Sequence, residues 1–100
     1  MADMTFLVKL TDEAKQNYTQ IKYYLTQEFG ENVVRDFAQR LEHCFSLIGK
    51  NPHLFPIFDE KLDIRRAVLS KEVSIYYIIK ESEVHILSIF DNRKAPRNFS

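Results

Sequence analysis

The chain has 100 residues, of which 45% are hydrophobic and 28% are charged, with only 2 Gly and 3 Pro. This composition excludes a disordered tail, a collagen-like repeat and a low-complexity linker, and the length predicts one domain over residues 1–100. The 14 basic and 14 acidic residues cancel, and a pI of about 6.8 argues against a dedicated nucleic-acid coat, which is usually strongly basic.

The first 30 residues predict a strand followed by an amphipathic helix. The run at 5–10 is short and β-tolerant, and Thr11 then supplies a hydroxyl that caps a helix N-terminus. Apolar residues recur at steps of three and four from Ala14 to Phe29, which is the pattern of one helix face. Gly30 is expected to end this helix, because glycine adopts a left-handed conformation without steric cost.

The next segment predicts a second amphipathic helix. Its apolar stripe includes Leu41 and Phe45, which are both expected to be buried. Gly49 and Pro52 are expected to end the helix. Because only a three-residue link beginning at Gly30 joins the two helices, they are predicted to form an antiparallel hairpin.

After Pro52 the helical periodicity stops. Residues 53–63 are predicted to form a packed loop, and three β-rich runs follow at 64–69, 73–79 and 84–91. The last two runs are apolar on both faces, which indicates central strands. The predicted fold class is therefore α+β, with the order β-α-α-β-β-β and the antiparallel helix hairpin packed on a small, largely antiparallel sheet.

The sequence offers no pattern for a metal or a cofactor. His43, His53 and His85 have no ligand spacing to one another or to Cys44, so no metal site and no cofactor are predicted. Cys44 lies on the apolar stripe of the second helix and is predicted to fill the core. His85 alternates with apolar residues on the last strand, so it is interpreted as a half-buried histidine rather than a proton-transfer group.

No targeting or membrane segment is predicted. No run approaches the roughly 18 apolar residues that cross a bilayer, and the N-terminal residues contain Asp3 and no long apolar stretch. The only cysteine, Cys44, excludes an internal disulfide and agrees with a reducing compartment. A cytoplasmic protein without a membrane partner is expected.

Basic residues are concentrated in the second half, where residues 61–100 hold eight Lys/Arg and five Asp/Glu. Arginine suits phosphate or carboxylate groups, so this set is a candidate contact surface for nucleic acid or for an acidic protein segment. The alternative is local ion pairing, which contributes little to stability. Adjacent strand residues face opposite ways, so Arg65 and Arg66 cannot share one site. The candidate contact residues are Arg65, Arg66, Lys71, Arg93, Lys94 and Arg97.

Three segments occur in this order in the second half of the chain: IRRAV at 64–68, IYYII at 75–79 and IFDNRKAP at 89–96. Together with the element order they resemble the RelE/ParE superfamily, the toxins of type II toxin–antitoxin modules that are often called plasmid stabilisation proteins. The resemblance covers nearly the whole chain, from Phe6 to about Pro96. It implies a bacterial growth inhibitor that is neutralised by a cognate antitoxin and has no small-molecule substrate.

The branch within the superfamily decides the chemistry. RelE-like members resemble ribosome-dependent mRNA endonucleases, which use basic residues and a terminal tyrosine for acid–base chemistry. Arg65 and Arg93 match two of the basic positions. Ala67 and Ser74, however, stand where such endonucleases carry basic residues, and Phe99 stands near the position of the terminal tyrosine. ParE-like members resemble inhibitors of DNA gyrase that need a contact surface and cut no nucleic acid.

The ParE-like interpretation is favoured, with gyrase as the expected target and no nuclease activity. Two alternatives stay open. One is a RelE-like endonuclease with Arg65, Arg93 and the substitute base His85 as candidate catalytic residues. The other is an inactive relative that only binds an antitoxin. The resemblance implies that a disordered antitoxin tail folds over the helix pair and the sheet. Its candidate anchors are the aromatic residues Tyr23, Tyr24 and Phe58.

Overall fold

The computed structural model describes residues 5–92. Within this range the elements are β1 (Leu7–Leu10), α1 (Asp12–Phe29), α2 (Glu31–Lys50), β2 (Ile57–Asp59), β3 (Ile64–Val68), β4 (Val73–Lys80) and β5 (Glu83–Asp91). The strands form one sheet in the order β1-β5-β4-β3-β2. β1 runs parallel to β5, and all other neighbours are antiparallel. The α+β fold class, with a helix pair followed by antiparallel strands, is confirmed.

Thr11 connects the start of α1 to the sheet. Its Oγ1 accepts a hydrogen bond from the backbone N–H of Ala14 at 3.2 Å, as expected of an N-cap, and donates to the carbonyl oxygen of Ile86 at 2.8 Å. Asp12 and Glu13 lie in the first turn, where the helix dipole favours negative charge. The predicted cap is therefore confirmed, and the same hydroxyl links the start of α1 to β5.

A single residue joins the two helices. Gly30 has a φ of 92°, a value at which a Cβ atom would be strained, and its N–H donates to the carbonyl oxygens of Leu25 and Thr26. α2 begins at the next residue, Glu31, so the link is shorter than the predicted three residues. This tight turn makes the helices an antiparallel hairpin.

Gly49 does not end α2, which continues to Lys50, so this prediction is wrong. A Cβ atom on Gly49 would lie 3.1 Å from the carbonyl oxygen of Phe6 and 3.3 Å from Cγ2 of Val8. The Gly49 carbonyl also accepts the N–H of Phe6 at 2.8 Å. Glycine stands here because the last turn of α2 lies directly against β1.

The hydrophobic core lies between the helix hairpin and one face of the sheet. β4 and β5 are the central strands and contribute most of its fully buried side chains, as their apolar pattern predicted. Leu41 of α2 is buried, but Phe45 is only half-buried, so that part of the prediction is wrong. Phe45 lies at the margin of the helical stripe, while Leu41, Cys44 and Ile48 form its centre.

The predicted loop at residues 53–63 contains a short strand. β2 pairs antiparallel with β3, where Ile57 lies opposite Arg65 and Asp59 lies opposite Ile64. The Asp59 carboxylate accepts the N–H of Leu62 at 3.0 Å, which turns the chain towards β3. Three residues are too few to show an alternating pattern, so the strand was not evident from the sequence.

No helix within residues 5–92 is long and apolar enough to span a membrane.

Candidate functional site

The apolar stripe of α1 is covered at its start and open at its end. Ala14 is fully buried, Tyr18, Ile21 and Leu25 are half-buried, and Phe29 is 60% exposed. An amphipathic helix normally buries its apolar face against the rest of the domain. The far end of α1 lacks this cover from the part of the chain that the structure describes.

The open end of the stripe lines a groove of about 810 Å³, which we call the hairpin groove. One wall is formed by the end of α1 and the start of α2, and the other by the β3–β4 turn and the end of β5. Its apolar lining includes Ile21, Leu25, Phe29, Val33, Phe37 and Ile89. The groove has the size and the apolar lining of a binding site.

Asn17 sets the base of the hairpin groove. β5 carries a bulge at Leu87, which has no opposite residue in the register with β4. The Oδ1 atom of Asn17 accepts hydrogen bonds from the backbone N–H of Ile89 at 3.0 Å and from the Ser88 hydroxyl at 3.2 Å. A side chain of α1 therefore satisfies the backbone of β5 beside its bulge and holds the two walls together.

The three aromatic residues predicted to anchor an antitoxin do not form one surface. Tyr24 lines the hairpin groove and makes an edge contact with Phe29 at 6.3 Å between ring centroids. Its neighbour Tyr23 is 69% exposed on α1. Phe58 lies on β2 against Tyr76, at 4.8 Å between centroids, on the sheet face opposite the helices. The structure therefore brings Tyr24 into the groove and leaves Phe58 on the other side of the sheet.

The charged lining of the hairpin groove is mainly acidic. Asp36, Glu72 and Asp91 contribute carboxylates, and Arg40 is the one basic residue among the described lining residues. The Arg40 guanidinium lies 3.3 Å from the Asp36 carboxylate, one helical turn away on α2. Both side chains are more than half exposed, so the pair contributes little to stability and remains accessible to a ligand in the groove.

Arg65 and Arg66 lie on opposite faces of β3, as expected of neighbours on a strand. The Arg65 guanidinium donates to the carbonyl oxygens of Phe55 at 2.7 Å and His53 at 3.3 Å, and so holds the segment before β2. The Arg66 guanidinium lies 5.4 Å from the centroid of the Phe58 ring. Each arginine has a local structural partner, and the two cannot contact one ligand together.

Lys71 is exposed in the β3–β4 turn, which Asn92 ties to the end of β5. The Asn92 backbone N–H donates to the carbonyl oxygen of Glu72 at 2.7 Å, and the Asn92 side-chain amide donates to the carbonyl oxygen of Lys71 at 3.2 Å. The turn and the strand end therefore form one unit. The predicted contact residues Arg93, Lys94 and Arg97, and also Phe99, lie outside the described residues.

Two of the positions that set this sequence apart from RelE-like endonucleases are buried. Ala67 on β3 is fully buried in the core, and Ser74 on β4 is 1% exposed. The Ser74 hydroxyl oxygen is buried and has no hydrogen-bond partner within residues 5–92. Neither residue presents a group that could carry charge or a proton to a substrate.

His85 is half-buried on β5 and belongs to a small charged cluster. Its Nε2 lies 2.9 Å from Oε1 of Glu83, whose Oε2 lies 2.9 Å from Nζ of Lys9 on β1. Hydrogen bonds from His85 and Lys9 lower the pKa of the Glu83 carboxyl. Asn92 lies seven residues further along, about 20 Å at the rise of an extended strand. His85 is therefore remote from the end of β5.

The Glu83 cluster predicts a pH-dependent contribution to stability. Because folding lowers the pKa of Glu83, its contribution is present above the carboxyl's ordinary value of 4.5 and is lost as the pH falls through the folded value. The difference in melting temperature between the parent chain and Glu83→Gln is expected to be largest near neutral pH and to vanish in acid. Glu81→Gln, in the exposed β4–β5 turn, is the control. An equal difference at all pH values would contradict this prediction.

Cys44 and the histidines form no reactive cluster among residues 5–92. Cys44 is buried, and burial raises the pKa of its thiol to about 11, so it stays protonated at neutral pH. No group of three His, Cys, Asp or Glu side chains within this range could hold a metal ion. The core position of Cys44 confirms the sequence interpretation.

Several groove residues were missed by the sequence analysis. The three- and four-residue spacing places Phe29 on the apolar face of α1 without indicating a binding role, and nothing in the sequence singles out Val33, Asn17 or Glu72. The available signal was the position of Phe29 and Val33 on either side of a one-residue turn, where little chain is left to cover them. Asn17 carried no such signal, because its partners lie more than 70 residues away in sequence.

Comparison with known proteins agrees with this architecture. Residues 8–96 match the family model described as the ParE toxin of the type II toxin–antitoxin system parDE. No curated protein matches the chain.

Three solved structures share the fold at low sequence identity. A chain of the chromosomal ParDE toxin–antitoxin system of P. aeruginosa is similar with a TM-score of 0.76 and 17% identity, over 88% of this chain and 97% of that one. A conserved hypothetical protein of Helicobacter pylori gives 0.59 and 15%, over 89% and 97%. A copper-bound mutant toxin of Helicobacter pylori gives 0.51 and 14%, over 88% and 96%. At this identity the likeness shows the fold alone.

Proposed function

The chain belongs to the ParE toxin family of type II toxin–antitoxin systems, and we propose that it inhibits growth by acting on DNA gyrase in the cytoplasm. We further propose that a cognate antitoxin neutralises it. Residues 1–100 would form one toxin domain that needs no cofactor. The family match supports the toxin class, and the features of the chain below support the partner and the target.

The open apolar stripe of α1 is the observation that carries the antitoxin proposal. Leu25, Phe29 and Val33 line a groove that no part of residues 5–92 fills. Contiguous apolar surface of this kind marks interaction sites, because it is covered favourably only by a partner. A disordered antitoxin tail loses conformational entropy when it orders, so it needs a large apolar surface of this kind to bind tightly.

Gyrase inhibition is favoured over RNA cleavage because the described strands lack the groups that cleavage needs. Ala67 and Ser74 are buried and uncharged, and loss of one charge-stabilising group typically lowers a rate by about 10²–10³. The remaining candidate base, His85, is hydrogen-bonded to Glu83 and remote from the end of β5. A neutral pI also suits a protein target better than ribosomal RNA.

Among the predicted target contacts within the described residues, Arg66 and Lys71 are the stronger candidates. The Arg65 guanidinium is engaged by two backbone carbonyls, so Arg65→Ala would disturb the segment before β2 as well as any contact. Lys71 is exposed, and the aliphatic and charged parts of Arg66 are partly accessible over Phe58. Arg93, Lys94 and Arg97 complete the proposed contact set.

Induction of the chain in cells tests the target. We expect DNA replication to stop while mRNA stays intact, and we expect purified protein to inhibit gyrase supercoiling. Arg66→Ala combined with Lys71→Ala is expected to weaken gyrase inhibition by about tenfold. Lys61→Ala, at an exposed position in the β2–β3 turn, is the matched control. Co-expression with the neighbouring reading frame should restore growth and yield a stable complex.

Two results would replace this proposal. Codon-phased mRNA ends on translating ribosomes, lost in Arg93→Ala, would identify a RelE-like endonuclease and make His85 the first residue to test as its base. A chain that forms the complex but stops neither replication nor translation would be an inactive relative that only binds the antitoxin. Recovery of a harmless monomer without a partner would contradict the toxin module itself.

A further inference from the structure

We propose that the C-terminal segment 93–100 docks on the sheet face opposite the helices, with Phe99 against Phe58 and Tyr76. This face, which we call the outer face, is formed by Phe58, Arg66, Val68, Ser74, Tyr76 and Phe90. The inference rests on the proposed function in one respect, since the segment carries three of the proposed target contacts. It adds the means by which the chain holds those contacts in place.

The alternation of β4 shows which side chains belong to the outer face. Val73, Ile75 and Tyr77 lie in the core beneath the helix hairpin. Ser74 and Tyr76 alternate with them and therefore point to the other side of the sheet. All five strands described belong to this one sheet, and both helices pack on its core side, so no element within residues 5–92 forms a layer over the outer face.

Two side chains of the outer face are nevertheless deeply buried. Tyr76 is 3% exposed and Ser74 is 1% exposed, whereas an antiparallel sheet with one uncovered face normally leaves that face accessible to water. Phe58 of β2 and Phe90 of β5 contact the Tyr76 ring from either side of β4, at 4.8 and 6.2 Å between centroids. The Ser74 hydroxyl oxygen is buried as well. Burial to this degree indicates that a further stretch of chain covers the face.

The segment starts close enough to supply this cover. Asn92 is held at the start of β4 by its hydrogen bond to the Glu72 carbonyl oxygen at 2.7 Å. Phe58 lies three strand spacings away and about four residues along the strands in the register of the sheet, which amounts to about 20 Å. The seven residues from Asn92 to Phe99 can span up to about 23–25 Å.

The sequence of the segment, RKAPRNFS, suits docking through one aromatic side chain. Phe99 is its only aromatic residue, and an aromatic ring contributes a large apolar area and favourable edge contacts with other rings. Pro96 has no backbone N–H, so the segment is poorly suited to extend β5 as a paired strand. A contact of Phe99 with Phe58 and Tyr76 would enlarge the existing group of three rings.

Docking of Phe99 would join basic residues that the sequence separates. The Arg66 guanidinium already lies over the Phe58 ring, at 5.4 Å from its centroid. A segment that crosses the same face brings its own cations to the side of the sheet that carries Arg66. Guanidinium groups bind carboxylates through paired hydrogen bonds, so the surface formed in this way suits an acidic segment of the target. The cations supplied by the segment are Arg93, Lys94 and Arg97.

A single tryptophan tests the docking, because the chain has none of its own. In the full chain carrying Phe99→Trp, we expect the indole emission to be shifted to shorter wavelength than that of free N-acetyltryptophanamide. Quenching of this emission by acrylamide should be several-fold weaker than for the free compound, because a docked ring is shielded from water. Addition of Phe58→Ala should increase the quenching. Addition of Phe29→Ala, which removes an exposed ring from the hairpin groove instead, is the control and should leave it unchanged.

A second pair of variants keeps the test independent of the Phe58 ring. Val68 on the outer face and Leu7 on β1 are exposed to nearly the same extent, and Leu7 lies at the opposite end of β5. Val68→Lys removes apolar surface and repels a basic segment, so it should expose the indole of the Phe99→Trp chain. Leu7→Lys should not. Circular dichroism of each variant establishes that it is folded.

Four results would overturn the inference. The first is an indole as accessible to acrylamide as the free compound, and the second is shielding that neither Phe58→Ala nor Val68→Lys reduces. Exposure of the indole by Phe29→Ala would place the segment in the hairpin groove. Loss of shielding on dilution would assign the contact to a second copy of the chain.

The proposed function is measured separately, by inhibition of gyrase supercoiling. Phe99→Ala is expected to weaken this inhibition several-fold, because the basic residues of the segment lose their fixed positions. A chain that inhibits gyrase although its indole is fully accessible keeps its function and loses only this inference. A chain with a shielded indole that inhibits nothing keeps the docked segment and loses the proposed target.

Discussion

Replacement of Tyr77 by Ala is expected to lower the free energy of unfolding by about 3–5 kcal/mol, which is a large part of the stability of a domain this size. Tyr77 is fully buried at the centre of β4, and its ring makes an edge contact with Phe55 at 6.5 Å between centroids. Its removal would leave a cavity where the sheet meets the segment before β2. Urea denaturation at neutral pH measures the loss.

Tyr77→Phe separates packing from hydrogen bonding at the same position. The Tyr77 hydroxyl donates to the carbonyl oxygen of Pro52 at 2.7 Å, and burial raises the pKa of Tyr77 to about 12, so the donor proton is retained. Without it the buried carbonyl loses its partner, at a cost of about 1–3 kcal/mol. A loss below about 1 kcal/mol for Tyr77→Ala would mean that the core is not centred on β4.

Replacement of Leu41 by Ala is expected to lower the free energy of unfolding by about 2–5 kcal/mol. Leu41 is 2% exposed at the centre of the α2 stripe, where it packs in the core between the hairpin and the sheet. Phe45→Ala is the comparison, because Phe45 has the larger side chain but lies at the margin of the stripe and is half-buried. Thermal and urea melts of both variants give the two losses.

The order of these two losses is the decisive result. On side-chain size alone Phe45→Ala would be the more damaging change, since removal of a buried aromatic ring costs about 3–5 kcal/mol. The structure predicts the reverse order, because a half-buried ring loses less transfer free energy and leaves a cavity open to water. A larger loss for Phe45→Ala would mean that α2 is rotated relative to the face described here.

Local patterns in the sequence were sufficient for most of the fold. The cap at Thr11, the stop at Gly30 and the three- and four-residue spacing of the stripes each involve residues within a few positions of one another. These features depend on local backbone geometry, so they can be predicted before any tertiary contact is known. The two central strands were predicted for a similar reason, since apolar residues on both faces are stable only when both faces are covered.

Other features depended on contacts between distant parts of the chain. Glycine commonly ends a helix, yet Gly49 stands within α2. It is needed there because β1, which is more than 40 residues away in sequence, packs directly against it. Asn17 satisfies the backbone of β5 beside a bulge that no local pattern indicates. β2 is a strand because β3 pairs with it, and its three residues have no strand pattern of their own.

The candidate site belongs to this second group. The periodicity of α1 identified its apolar face from Ala14 to Phe29, but an apolar pattern carries no information on how far a sheet extends beneath it. Only the packed structure shows that cover ends before Phe29, which is 60% exposed, and that Glu72 faces the resulting groove while Lys71 does not. Which side of a helix is apolar is a property of the sequence, whereas how much of that side is buried is decided by tertiary packing.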